Sequence, residues 1–257
     1  MVLHADSGQN RLYLFSLPRD LFYRGRKIND IYRSFGAAQM AKDLSEITGL
    51  AIENYIVIDM YAFIDAVNIL GGLEITLPED LIDPTYRVKD EGKWGTLFYE
   101  KGTHQLSGIE ALRVARSRHY TSDFGRAERQ QHLISAIKDK VSRLDLRDMK
   151  RIYDLAATMV SYVDTDLSPV EIVNLFLQYR KSAFAKQIVI DTSNVLYHTY
   201  SNLYYLDKKL EDVDDSFYKG AWILLPLEDD WNLLRWFIRS TIEGDLNGRF
   251  GAEKTAG

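Results

Sequence analysis

Residues 11–17 read Arg-Leu-Tyr-Leu-Phe-Ser-Leu; in an extended chain Leu12, Leu14 and Ser16 face one side while Tyr13, Phe15 and Leu17 face the other. Both faces are largely apolar. A strand of this kind must be covered on both sides, which argues for a sheet with helices packed over it. Pro18 ends the strand, and Arg19-Asp20 open a loop at its C-terminal end. The rest of the chain alternates in the same sense. Ala37, Ala38, Ala41, Leu44 and Ile47 recur at helical spacing before Gly49. Residues 55–58 predict a short strand, Asp59 the cap of a helix through Leu70, and residues 73–77 a strand ended by Pro78. Residues 79–103, interrupted by Pro84, Gly92, Gly95 and Gly102, are expected to be irregular, as a lid, a rim or a surface excursion. Ser107-Gly-Ile-Glu110 and Ser168-Pro169-Val-Glu171 are capping boxes, the first opening a short helix through Ala115. Asp123 or Ser122 caps a helix that carries Leu133, Ile134, Ile137, Val141 and Leu144 inward, and another helix is expected over residues 147–162. Residues 186–190 and 222–225 predict strands, and residues 228–242 a final amphipathic helix. Alternating strands and helices place the chain in the α/β class. One domain is expected over residues 1–243, with a frayed tail over 244–257.

The chain of 257 residues carries a net charge of −5, so bulk electrostatics do not point to nucleic acid. Basic charge is local. Residues 113–129 and residues 19–33 each hold an excess of three positive charges. The first segment contains Arg116, Arg118, Arg126 and Arg129, with a turn between the two pairs. Arginine presents a planar fork of donors that matches phosphate or carboxylate oxygens two at a time. Arg126, Arg129 and Gln130 stand at i, i+3 and i+4 and share a helix face. Converging guanidiniums repel one another unless an anion sits among them, so a site for a phosphate-rich ligand is one reading and a solvated charged face the other. His119 lies inside the cluster, as a proton shuttle or as a hydrogen-bonded structural group. The chain has no cysteine, which excludes thiolate catalysis, disulfides and cysteine metal sites. There is no phosphate-cradling P-loop, glycine-rich dinucleotide fingerprint or nucleophile elbow, and the five histidines lack metal-ligand spacing. No apolar run reaches the length of a membrane span.

Three motifs in order carry a resemblance. Ser16-Leu-Pro-Arg-Asp20 is similar to S-[IL]-P-R-D. Lys27-Ile-Asn29, then Tyr32 and Gly36, is similar to K-I-N-x-x-Y-x-x-G-G, with Ala37 in place of the second glycine. The stretch from Arg116 to Gln131 is similar to R-x-R…D-[FY]-G-R-x-x-R-Q-Q. Together they resemble the LytR–CpsA–Psr family, most strongly over residues 1–140. The resemblance implies an α-β-α sandwich with a central mixed β-sheet and a hydrophobic tunnel for a lipid tail. It implies a membrane-anchored protein whose catalytic domain works on the extracytoplasmic face of the bacterial cytoplasmic membrane. The implied activity is phosphoryl transfer: a glycopolymer such as teichoic acid, capsule or arabinogalactan moves from a polyprenyl-pyrophosphate-linked donor to a peptidoglycan hydroxyl, with Mg²⁺ assisting.

By the same resemblance Arg19, Arg116 and Arg118 grip the pyrophosphate, and Gln130 lies near the head group. Lys27, Asn29, Asp123, Arg126 and Arg129 line or brace the site. Arginine forks suit this chemistry, because phosphoryl transfer needs charge stabilisation on non-bridging oxygens more than covalent help. Plainer roles stand beside these: Asp20 capping its loop or pairing with an arginine, Asp123 capping a helix, Arg126 and Arg129 pairing with Glu128 or Asp123, and Asn29 serving as a turn residue. The family's magnesium-binding aspartates fall before the point where this chain starts. The chain is thus expected to lack those ligands, a first strand and the membrane helix, and none of its residues is assigned to the metal. Hydrolysis of the same lipid-linked donor, and binding of polyprenyl pyrophosphate or wall polymer without turnover, are the competing readings.

Overall fold

The doubly apolar segment forms strand β2 (Arg11–Ser16), in which every residue from Leu12 to Ser16 is buried. It is central in a three-stranded sheet, between β1 (Val2–Asp6) and β11 (Ala183–Val189). The structure is a computed structural model and describes residues 1–90, 92–117, 123–144, 150, 152–153, 156–157, 160, 163–214 and 216–244. The expected tail lies outside these residues apart from Gly244. The chain divides into two compact units, one of Met1–His4, Tyr13–Glu53 and Ile188–Gly257, the other of Ala5–Leu12 and Asn54–Gln187. Helices and strands alternate in each, as an α/β protein requires. Among the described residues no helix is long and apolar enough to cross a membrane.

In the first unit β3 (Phe22–Tyr23) and β4 (Arg26–Lys27) form a small hairpin whose turn residues Arg24 and Gly25 have φ of 50° and 80°. Helix α1 (Ile28–Thr48) follows at once and ends on Gly49 in the left-handed conformation. It starts nine residues before the Ala37 periodicity, and Gly36 is the reason that the two parts do not share one pattern: at φ 80° and ψ 179° it interrupts the helix. Asn29 is therefore in the first helical turn, not a loop turn. Strands β12 (Leu196–Tyr200) and β13 (Trp222–Pro226) pair antiparallel, and helix α6 (Ser201–Tyr205) leaves the end of β12. Phe22, Ile223 and Leu225 form a core with Tyr197 and Trp231. The last helix, α7 (Trp231–Glu243), begins three residues later than the sequence suggests. Asp230 caps it by accepting from the Asn232 N–H at 2.9 Å, while Glu228 and Asp229 hold φ of 58° and 53°.

In the second unit β5 (Ile56–Val57) pairs with β10 (Asp164–Thr165), and Asp59 caps α2 (Met60–Ile69) by accepting from Ala62 N–H at 2.7 Å. β6 (Leu73–Leu77) alternates buried and exposed and pairs with β9 (Gly102–Leu106). The segment expected to be irregular is instead a hairpin of β7 (Leu81–Asp90) and β8 (Lys93–Tyr99). Asp83 pairs with Leu97 and Arg87 with Thr96, so Pro84, Thr85 and Tyr86 loop out as a bulge. A bulge is where a strand tolerates proline, which has no N–H to give the ladder. Helices α3 (Gly108–Arg116) and α4 (Asp123–Ser142) pack on a core of Val67, Leu73, Leu106, Ala111, Val114 and Leu133. Both capping boxes form, at Ser107 and at Ser168 before α5 (Pro169–Tyr179). Of residues 147–162, the described Lys150, Ile152, Tyr153, Ala156, Ala157 and Val160 are helical, and Ile152 and Ala156 pack with Val173.

Candidate functional site

The basic residues expected to form the site are divided between the two units. In the first unit, β2 delivers Arg19 and Asp20 into a tight loop. Leu21 N–H donates to Pro18 O at 3.2 Å, Ile28 N–H to Leu21 O at 3.0 Å, and Asn29 N–H to Arg19 O at 3.3 Å. The loop is tied to β13 as well, where Leu224 N–H donates to Asp20 O at 3.0 Å. The Asp20 carboxylate is buried and serves two cations. Lys27 Nζ donates to one oxygen at 2.7 Å and Arg19 Nε to the other at 3.3 Å. Asp20 thus takes the plainer role of an ion-pair partner and brings Arg19 and Lys27 together. The Arg19 side chain keeps 47% of its surface exposed against 22% for Lys27. Neighbouring basic groups are turned to other work: Arg24 pairs with Glu46 at 2.9 Å, and the Arg26 guanidinium lies 5.1 Å from the Phe35 ring. Asn29 is exposed.

In the second unit the site is the junction where α3 ends and α4 begins. Arg116 is the last residue of α3, and Ser117 caps it by donating its N–H to Arg113 O at 3.0 Å. The exposed Arg116 guanidinium lies over the Tyr86 ring, 5.8 Å from its centroid. From α4, the Arg129 guanidinium donates to Ser117 O and Gln130 Nε2 donates to Ala115 O at 3.3 Å. These two side chains hold the carbonyls on either side of Arg116, so they brace the helix end that presents it. Burial pushes the Arg129 pKa down, the Arg126 charge pushes the same way, and Asp83, Glu128 and Glu79 oppose. Arg126 is half-buried and near enough for that repulsion to register. Arg118, His119 and Ser122 lie outside the described residues. Asp123 opens α4, and its side chain lies outside the described set too.

Sequence reasoning misses two members of this junction, Asp83 and Tyr86, because the pattern of residues 79–103 predicts irregular chain where the β7–β8 hairpin forms. Asp83 is buried and accepts from Thr85 N–H at 3.1 Å, from the Thr85 hydroxyl at 2.6 Å and from Tyr86 N–H at 3.1 Å. The signal for it was present in Asp83-Pro84-Thr85, since Asp side chains bond the backbone two and three residues on. Chemically, the junction offers arginine donors fixed by backbone carbonyls and an aromatic ring, a device for holding anionic oxygens. Among the described residues no group of three His, Asp or Glu side chains could hold a metal ion. Asp20 and Asp83, the buried acids beside these arginines, already accept hydrogen bonds from neighbours. These residues do not fit a magnesium site.

Comparison with known proteins bears on both basic regions. Residues 1–219 match the LytR_cpsA_psr family. Polyisoprenyl-teichoic acid–peptidoglycan teichoic acid transferase TagV of Bacillus subtilis is 28% identical over 221 residues, which are 80% of this chain and 54% of TagV. The transferase TagT of the same organism, with the corresponding name, is 29% identical over 168 residues, 63% of this chain and 51% of TagT. The chain spans about half the length of these curated relatives. The crystal structure of B. subtilis TagV superposes with a TM-score of 0.68 at 21% identity, covering 94% of this chain and 87% of that one, so the two share a fold.

Proposed function

We propose, because this chain belongs to the LytR–CpsA–Psr family, that it transfers a glycopolymer from a polyprenyl-pyrophosphate-linked donor to peptidoglycan. The named activity of TagV and TagT supports the donor and acceptor classes. The observation that carries the reading is the α3–α4 junction, where Arg116 is presented at a helix end locked by Arg129 and Gln130. In this scheme Arg19, Arg116 and Arg118 hold the non-bridging oxygens of the pyrophosphate. A sugar hydroxyl oxygen of the acceptor forms a bond to the phosphorus nearer the glycopolymer. The bond from that phosphorus to the bridging oxygen breaks, polyprenyl phosphate leaves, and the hydroxyl proton passes to solvent or a base. Charge builds on the leaving oxygens as this happens, and fixed guanidiniums stabilise it. The reaction takes place on the extracytoplasmic face of the membrane, where donor lipid and wall meet.

The test is transfer of labelled glycopolymer to purified peptidoglycan by the 257-residue chain, with and without magnesium. Arg118→Ala is expected to abolish transfer, and Arg118→Lys to be nearly as damaging, since a point charge lacks the fork. Full activity in Arg118→Ala overturns the proposal. Release of free glycan phosphate at the same rate without peptidoglycan would identify a hydrolase, and donor binding with no turnover a non-catalytic binder.

A further inference from the structure

We propose that Asp83 and Tyr86, on the bulge of the β7–β8 hairpin, are positioning residues of the arginine junction. The inference deepens the reading above and rests on it, because it assumes that Arg116 meets the pyrophosphate. Its starting point is the bulge itself. A strand ladder that skips Pro84, Thr85 and Tyr86 leaves three residues to be fixed by something other than cross-strand bonds. Asp83 supplies that. Its buried carboxylate gathers the Thr85 N–H, the Thr85 hydroxyl and the Tyr86 N–H, which fixes the backbone through the bulge as far as Tyr86.

Tyr86 then meets the Arg116 guanidinium, at a range where a ring quadrupole attracts a cation. An exposed arginine at a helix C-terminus has many rotamers, and holding them to a few before the ligand arrives removes part of the ordering cost of binding. Asp83 acts a second time through charge. Burial, and after it the neighbouring Arg126 charge, disfavour the Arg129 cation, and the Asp83 carboxylate opposes both. Arg129 in turn holds the Ser117 carbonyl next to Arg116. One acid therefore supports Arg116 from two directions, through the ring beneath it and through the carbonyl beside it.

The experiment measures the affinity of the 257-residue chain for farnesyl pyrophosphate in the presence of magnesium, with melting temperature measured alongside. Tyr86→Leu is expected to weaken binding about two- to five-fold, the range of an exposed cation–π contact, with little change in melting temperature. Tyr86→Phe keeps the ring and is expected to bind as the unsubstituted chain does. Asp83→Asn keeps an acceptor oxygen but not the charge and is expected to weaken binding on the order of ten-fold. Equal affinity in Tyr86→Leu and Tyr86→Phe overturns the positioning role whether or not the Asp83 variant folds. Arg116→Ala separates the two levels. Loss of binding in Arg116→Ala with none in Tyr86→Leu sinks this inference alone. Retained binding in Arg116→Ala, or no binding by the unsubstituted chain, sinks the pyrophosphate assignment and this inference with it.

Discussion

Single residues in this chain are held by oppositely charged or polar neighbours whose protonation states matter. The Tyr197 hydroxyl donates to Asp229 Oδ1 at 2.6 Å. Its pKa is raised, first by burial and then by the bond to Asp229 and by the charge of that carboxylate. The folded chain thus resists ionising Tyr197 where the unfolded chain does not. Stability from this source is fully present below the ordinary tyrosine pKa of about 10 and is lost as pH rises through the higher folded value. Melting temperature should accordingly fall more steeply above about pH 10 for the unsubstituted protein than for Tyr197→Phe. Parallel pH profiles would show that the hydroxyl carries no such linkage. Asp229 holds its own backbone at φ 53° while accepting this bond, so the contact sits on a locally strained segment.

At the scale of elements, the conformation of Gly36 explains why Ala37 is tolerated where the family motif has a second glycine. Gly36 stands at φ 80° and ψ 179°, a region that side-chain-bearing residues scarcely enter, whereas Ala37 is helical. A Cβ at Gly36 would meet nothing within 4 Å, so the obstacle is backbone conformation and not space. Gly36→Ala is expected to cost roughly 1–3 kcal/mol in urea denaturation. Ala37→Gly should cost only about 0.5–1 kcal/mol, the entropy of a helical glycine. A neutral Gly36→Ala would contradict this. The same contrast separates what the sequence reveals from what it hides. Capping boxes at Ser107 and Ser168, the Asp59 cap and the Gly49 stop were legible because each is chemistry among residues a few positions apart. The β7–β8 hairpin was not legible. Its bulge breaks the alternation at Pro84, and Arg87, Lys89 and Asp83 mix charge into both strand faces. Of the site, Arg116, Arg126 and Arg129 were legible as neighbours along the sequence, and Asp20 was legible as a candidate ion-pair partner. Asp83 and Tyr86 were not, since only the hairpin brings them to Arg116.

On the scale of the whole molecule, neither compact unit is a continuous stretch of chain. The first is assembled from three segments and the second from two, and β1, β2 and β11 each contribute residues to both. Because each of these strands runs through both groupings, the chain is expected to unfold in one cooperative transition. Trp94 belongs to the second unit and Trp222, Trp231 and Trp236 to the first. In protein labelled with 5-fluorotryptophan, all four fluorine resonances should convert to unfolded positions at one urea midpoint. A separate midpoint for Trp94 would mean two folding units. The molecule also carries a net charge of −5, so an anionic ligand approaches against an overall repulsion that only local basic groups reverse. Here the two-cation arrangement at Asp20 has a consequence. Arg19 is the more exposed and more loosely bonded partner, at 3.3 Å against 2.7 Å for Lys27. An incoming anion that draws Arg19 away leaves the buried carboxylate still neutralised by Lys27. On the proposed function the loop would act as an ion exchanger with one fixed and one mobile counter-ion, in which ligand capture displaces a weak internal contact without stranding a charge.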